Sequence, residues 1–276
     1  RSGSDQKPIN GAVARLPHGD DEMNRAPPAG VRRAAALLVG LLIALTGTAR
    51  GLLGQPPPGE QAVATGAAPA GLPHAGRWEK EVAVLESADR AVGRTGGIAF
   101  IGSSNIRLWR SLAEDFPGWH VVGRGVGGSH LHELVPVVLR MVGHSRPAVL
   151  VVSGGINDIH EGRSADQVAT AFADLVGVVR PALPGTRIVF LAIAPSFARW
   201  DQREEHARAN ALIREFIASG SGGAGLGFVD AGAAYLRPNG LPAPECFVED
   251  GLHPTRLGYA RRAASLRPQL EPFLGP

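Results

Sequence analysis

From residue 77 onward the sequence predicts an α/β domain, a three-layer α/β/α sandwich built on a five-stranded parallel sheet. Three observations lead there. Five short apolar, β-branched runs recur along the chain, each closed by Gly, Pro or Asp. Longer segments with apolar residues at helical spacing separate them, and such alternation implies parallel strands covered on both faces. Finally, 276 residues at 44% hydrophobic content suffice for one well-cored domain with a tail, but not for two full domains.

The elements follow in order. Residues 1–22 read as an upstream or non-native segment. From Met23 the chain runs MNRAPPAGVRRAAALLVGLLIALTGTARG, a cationic stretch, then an uncharged run over 34–49, then small residues. That is the layout of a secretory signal. Its sixteen uncharged residues include two glycines and two threonines and fall short of the roughly 20 apolar residues of a spanning helix. The expectation over 23–49 is therefore a signal peptide cleaved near Ala49, with an N-terminal anchor tethering the chain to a membrane through 34–49 as the alternative. Either places the domain in a secreted, periplasmic or cell-envelope setting. Proline, glycine and alanine dominate residues 50–76, as in an extended linker.

Within 77–276, WEKEVAVLESADRAV has helical spacing and GIAFIG is the first strand. HVV before Gly123 is the second strand, and LHELVPVVLRMV is a helix that Pro136 kinks or opens. PAVLVVSGG, RIVFLAIAP and LGFVD complete the strands, separated by the helical ADQVATAFADLVGVVRPAL and DQREEHARANALIREFIAS. TRLGYARRAASLRPQL closes the chain as a helix. No internal repeat appears.

Charge excludes one class of partner. The pI of 9.6 suggests nucleic acid, yet residues 77–276 carry 21 Lys+Arg against 20 Asp+Glu, with no basic patch, so no nucleic-acid partner is expected. The single Cys246 rules out an intrachain disulfide and reads as a structural residue.

In a parallel sheet, ligands lie beyond the carboxyl ends of the strands. The polar residues expected there are Ser103, Ser104 and Asn105, then Arg124 with its neighbouring glycines, then Ser153, Asn157 and Asp158, then Ser196. GRGVGGSH, residues 123–130, has the G-x-G-x-x-G spacing of a dinucleotide turn. A strand already precedes it, however, and the following strand ends without the acid that would hold a ribose. No cofactor is therefore expected.

Acyl transfer makes other demands: a nucleophile, a base with an orienting acid, and donors for an oxyanion. Ser104 supplies a hydroxyl after the first strand. VEDGLHPT places Asp250 three residues before His253, on one side of a turn. Glycine at 128 admits a substrate carbonyl to a backbone N–H, and Asn157 carries an amide that can bind the same oxygen. Taken singly, each has a plainer reading: a helix cap for Ser104, a turn for Asn157-Asp158, a surface turn for Asp250 and His253. Their joint presence on strand ends argues for a site. His130, His132 and Glu133 raise the question of a metal, but neighbours at the start of one helix cannot close a site alone, and no metal is expected.

Four stretches together carry a resemblance. FIGSSNIRLW resembles the nucleophile block of the SGNH hydrolases, the GDSL-type esterases and lipases. GRGVGGS resembles their glycine block, GGIND their Gly-x-Asn-Asp block, and DGLHP their Asp-x-x-His block. All four occur in the family's order across residues 98–254, and IRLW after the serine is closest in style to the platelet-activating-factor acetylhydrolase-like branch. The resemblance implies a flavodoxin-like fold, Ser104 as nucleophile, His253 as base and Asp250 as its orienter. It also implies that Gly128, Asn157 and the Ser104 N–H act as oxyanion donors, without cofactor or metal. One departure stands out: Ser103 occupies the place of the usual aspartate. The implied activity is hydrolysis of short-acyl esters of small molecules or carbohydrates. The alternatives are transfer of the same acyl group to a sugar hydroxyl, or a non-catalytic carbohydrate-binding module, which would be expected to lack a triad member. Acyl length is expected to depend on a loop over 196–210.

Overall fold

The alternation of side chains along each strand decides which helices cover which face. A computed structural model describes residues 76–93 and 95–275. The strands are β1 (Ile98–Gly102), β2 (Val121–Gly125), β3 (Val149–Ser153), β4 (Arg187–Leu191) and β5 (Leu226–Val229), all parallel in the order β2-β1-β3-β4-β5. Ala99, Ile101, Leu150, Val152, Ile188 and Phe190 face one way. Onto them pack α1 (Glu79–Arg90), α4 (Leu131–Leu134), α5 (Val138–Val142), α7 (Ala165–Ala182) and α8 (Arg203–Ala218). Their strand neighbours Ile98, Phe100, Val149, Val151, Val189 and Leu191 face the other way, against α2 (Ser104–Arg107), α3 (Leu112–Asp115) and α9 (Arg256–Leu270). The result is the expected three-layer sandwich, in flavodoxin-like strand order. A short helix α6 (Ile156–His160) follows β3.

Two expectations need correcting. β2 does not stop at Val122 but runs through Gly123, Arg124 and Gly125, which pair with Phe100, Ile101 and Gly102 of β1. Arg124 is therefore a buried strand residue, near Asp89 at 3.9 Å, and does not stand at the strand end. The segment 196–210 is no loop: a 3-10 turn over Phe197–Gln202 runs into α8. The helix read over 131–142 is divided at Pro136, which is exposed between α4 and α5. The signal or anchor over 23–49 and nearly all of the linker over 50–76 lie outside the described residues. Among the described residues no helix is long and apolar enough to cross a membrane.

Gly125 shows what the glycines of β2 do. A Cβ there would lie 2.2 Å from the Arg107 backbone nitrogen, so its absence is what lets α2, and Ser104 at its start, settle on the sheet. Gly125→Ala is expected to cost about 1–3 kcal/mol of overpacking, read as a lower urea midpoint. Gly177, exposed in α7 with nothing within 4 Å of its added Cβ, supplies the contrast. Gly177→Ala is expected to raise stability by about 0.5–1 kcal/mol in the same assay.

Candidate active site

The order β2-β1-β3 puts three carboxyl ends side by side at the point where the chain reverses direction across the sheet, where such sheets bind ligands. Each strand delivers one piece. β1 ends at Gly102, and Ser103 precedes Ser104, the first residue of α2. β2 leads into the turn that holds Gly128, whose φ of +77° suits glycine. β3 leads through Gly154 and Gly155 to Asn157 in α6.

The fourth piece comes from near the C-terminus. Phe247 and Pro254 form an antiparallel bridge, Val248 N–H donates to the His253 carbonyl, and the chain between them turns at Gly251. This folds Asp250 back onto His253. One carboxylate oxygen accepts N–H bonds from Leu252 at 2.8 Å and His253 at 2.9 Å, while the other lies 2.6 Å from the ring Nδ1. An ionised carboxylate can only accept, so Nδ1 carries the ring proton. His253 Nε2 is then an acceptor, and the Ser104 hydroxyl, 2.8 Å away, donates to it. Partial burial works against ionisation of Asp250. The hydrogen bonds from the His253 ring and from the two backbone N–H groups prevail and bring its pKa down to about 2.

Several contacts hold α9 and the preceding loop against α2. The Tyr259 hydroxyl donates to the Asn105 carbonyl at 3.0 Å, and its ring stacks on Trp109 with centroids 5.1 Å apart. Arg256, the first residue of α9, pairs with buried Asp115 at 2.7 Å. Thr255 caps the helix by accepting from Gly258 N–H and donates to the Glu245 carbonyl.

The oxyanion donors read from the sequence lie on neighbouring strand ends. The Ser104 and Gly128 N–H groups have no acceptor among the described residues. Asn157 donates one amide N–H to the Ser129 carbonyl at 3.0 Å, which ties it to the glycine turn and leaves its second N–H unused. With only four residues, α2 contributes its first N–H groups rather than a large macrodipole.

Two residues make positioning contacts that the sequence reading did not assign. Buried Asp158 accepts the Leu131 N–H with both carboxylate oxygens, at 2.9 and 3.1 Å, and so binds the exit of the glycine turn to α6. The tandem Asn-Asp of GGIND carried that signal. Trp78 places its ring where a Cβ on Gly128 would meet it at 3.6 Å, and its Nε1 donates to Glu133 at 3.0 Å. Nothing in the sequence marks it.

His130 and Glu133 serve the start of α4, where the Glu133 carboxylate accepts the His130 backbone N–H at 2.8 Å. His132 contacts Arg163 at 3.0 Å. Among the described residues no group of three His, Cys, Asp or Glu side chains could hold a metal ion. Cys246 is buried with Tyr235, Ala243 and Phe247.

The lowered pKa of Asp250 has a definite sign. Its stabilising bonds are fully present above its ordinary value of 3.8 and are lost as pH falls through about 2. Carboxyl-carbon NMR should find the Asp250 midpoint near 2, and His253→Ala should move it upward only part of the way, since the Leu252 and residue-253 backbone bonds remain. An unchanged midpoint in His253→Ala would show that the ring bond contributes nothing.

No curated protein matches this sequence. Solved structures share its fold. A Streptococcus pneumonia protein named for platelet activating factor superposes with a TM-score of 0.62 at 21% identity, covering 70% of this chain and 92% of its own. A Bacteroides fragilis protein named as an acylhydrolase gives 0.58 at 20%, covering 72% and 96%. A carbohydrate esterase of family 3 from Talaromyces cellulolyticus gives 0.50 at 16%, covering 65% and 98%. The GDSL-like Lipase/Acylhydrolase family matches residues 101–261, a span that is more than half of the chain and includes Ser104, Gly128, Asn157, Asp250 and His253, and the chain is therefore a GDSL esterase belonging to that family.

Proposed function

We propose that Ser104 is the nucleophile of a serine esterase acting on short-acyl esters, acetyl esters foremost. The observation that carries the reading is the continuous line from Asp250 through both nitrogens of His253 to the Ser104 hydroxyl, with contacts of 2.6 and 2.8 Å. Ser104 Oγ attacks the ester carbonyl carbon as its proton passes to His253 Nε2, and the resulting imidazolium is held by the Asp250 carboxylate. The negative charge on the former carbonyl oxygen is met by the N–H groups of Ser104 and Gly128 and by the free N–H of Asn157. Collapse breaks the bond to the alkoxy oxygen, which takes the proton from His253 and leaves as the alcohol. Water, deprotonated by His253, then releases the acid and restores Ser104.

Support for a short acyl group comes from the stretch IRLW after Ser104, which resembles the platelet-activating-factor acetylhydrolase-like branch of the family. The Talaromyces protein's name as a carbohydrate esterase supports a sugar as one alcohol to test. The cationic, apolar and small-residue order over 23–49 supports action outside the cytoplasm.

Assays on p-nitrophenyl esters of increasing chain length, beside acetylated sugars, test the reading. Turnover should fall steeply beyond acetate and propionate, and a preference for octanoate would overturn the short-acyl reading. Ser104→Ala should lose both hydrolysis and fluorophosphonate labelling, whereas Ser103→Ala keeps both at a reduced rate. A phosphonyl adduct on Ser103 that persists in Ser104→Ala would assign the nucleophile to the neighbouring residue. His253→Ala should fold and lose most turnover, and Asp250→Asn should be severely impaired because the amide can hold the wrong imidazole tautomer. Asn157→Ala should lower kcat by about 10² to 10³ with little change in KM. A defect in KM alone would reduce Asn157 to a positioning role.

A further inference from the structure

Beneath the candidate site, on the side of the sheet covered by α9, lies a buried cation with no counter-charge. Arg262 is 3% exposed, and among the described residues no carboxylate comes within ion-pair distance of it. Its guanidinium stands over Trp109, 5.4 Å from the ring centroid, and one terminal nitrogen donates to Ser153 Oγ at a long 3.4 Å. Nε has no acceptor. An arginine cannot shed its proton, and an unpaired buried charge is among the costliest arrangements a core can hold.

The surroundings indicate what offsets it. Arg262 lines the cavity of about 30 Å³ together with the hydroxyl residues Ser103, Ser153, Ser196 and Tyr235. Of these, Ser103 is 5%, Ser196 2% and Tyr235 2% exposed. The Ser196 and Tyr235 oxygens make no well-formed hydrogen bond, although burial raises the Tyr235 pKa and the nearby guanidinium pulls against that rise. No Asp, Glu, Lys or His lines the cavity, so its charged lining is Arg262 alone. One cation and four hydroxyl residues, all able to donate, border a space about two to three times what one water needs, together with Asn105, whose Oδ1 has no hydrogen-bond partner. A lining with one fixed positive charge and donors in excess of fixed acceptors favours negative charge. The space limits the ion to a few atoms.

We propose that this cavity is a binding site for a small monovalent anion, held by Arg262 and the hydroxyls of Ser103, Ser153, Ser196 and Tyr235. The ion would occupy the place that a carboxylate on residue 103 would otherwise fill. Its source is either chloride from the medium or the carboxylate released when a short ester is hydrolysed. The site stands on the burial and lining of Arg262 and holds whether or not Ser104 is the nucleophile.

Thermal unfolding of the full chain in sodium chloride, sodium acetate and sodium gluconate at one ionic strength tests it, gluconate being too large to enter. Chloride should raise the midpoint by roughly 3–6 °C at about ten times its Kd. A response to acetate alone would assign the site to the released carboxylate. Ser103→Asp places a tethered carboxylate in the cavity, so its midpoint in gluconate should rise toward that of the chloride-saturated parent and its anion response should vanish. Arg262→Met, which keeps an apolar stem on Trp109, should also lose the response. Equal midpoints for the parent chain in all three salts overturn the proposal, as does a full-sized response in Ser103→Asp, which decides the matter if Arg262→Met does not fold. Crystals soaked in bromide should show anomalous density within hydrogen-bond reach of Arg262, and density absent there would count against the site.

Discussion

Three N–H groups converge on the Asp250 carboxylate, and the geometry of the site depends on that convergence. Two of them come from the backbone of the turn and shape it. The third is the imidazole, whose proton is thereby fixed on Nδ1. The same charge that folds the loop thus decides which ring nitrogen faces Ser104. Because the bonds come from groups three residues apart or fewer, the turn and the tautomer form together. What remains is to bring this loop to the sheet, and α9 does so through Tyr259 on Asn105 and Arg256 on Asp115.

Glycine serves the site in two physically different ways. At Gly125 the need is closeness, since α2 lies where a side chain would be. At Gly128 the need is a backbone conformation that turns its N–H free of the sheet. A G-x-G-x-x-G spacing arises here from packing and turning, with no phosphate involved. The same segment is fastened from outside by Asp158 on Leu131 and by Asn157 on Ser129, so the amide proposed to bind the oxyanion also holds the turn that carries its neighbouring donor.

The parallel sheet was legible because its strands are buried on both faces and read as unbroken apolar runs. Ser104 and Asn157 could be singled out for a related reason: strand ends are where polar residues interrupt those runs, and the rule for open sheets places ligands there. Asp250 and His253, on a turn before the closing helix, stood out only by their spacing in DGLHP and by the resemblance. Arg124 was misplaced because glycines and a charge look like a strand end, whereas pairing with β1 carries β2 on to Gly125. The loop expected over 196–210 overlaps the helical run read from Asp201, and the structure favours the helix, with α8 packing by His206, Ala209 and Ile213. Arg262 was not legible at all. On the closing helix it sits among other arginines, and only the tertiary structure distinguishes the one turned inward from the more exposed Arg256 and Arg261, which pair with Asp115 and Glu245.

Ser104 and His253 are separated by 149 positions yet share a hydrogen bond. Closing that contact requires β1 paired between β2 and β3, the crossovers that extend the sheet through β4 to β5, and the final helix docked against α2. Such long-range, parallel assembly is slow compared with local helix formation. During synthesis, Ser104 emerges long before His253, and a chain lacking the last few dozen residues lacks the imidazole that accepts the Ser104 hydroxyl proton. The arrangement makes that contact a late product of folding, formed only once the domain has closed.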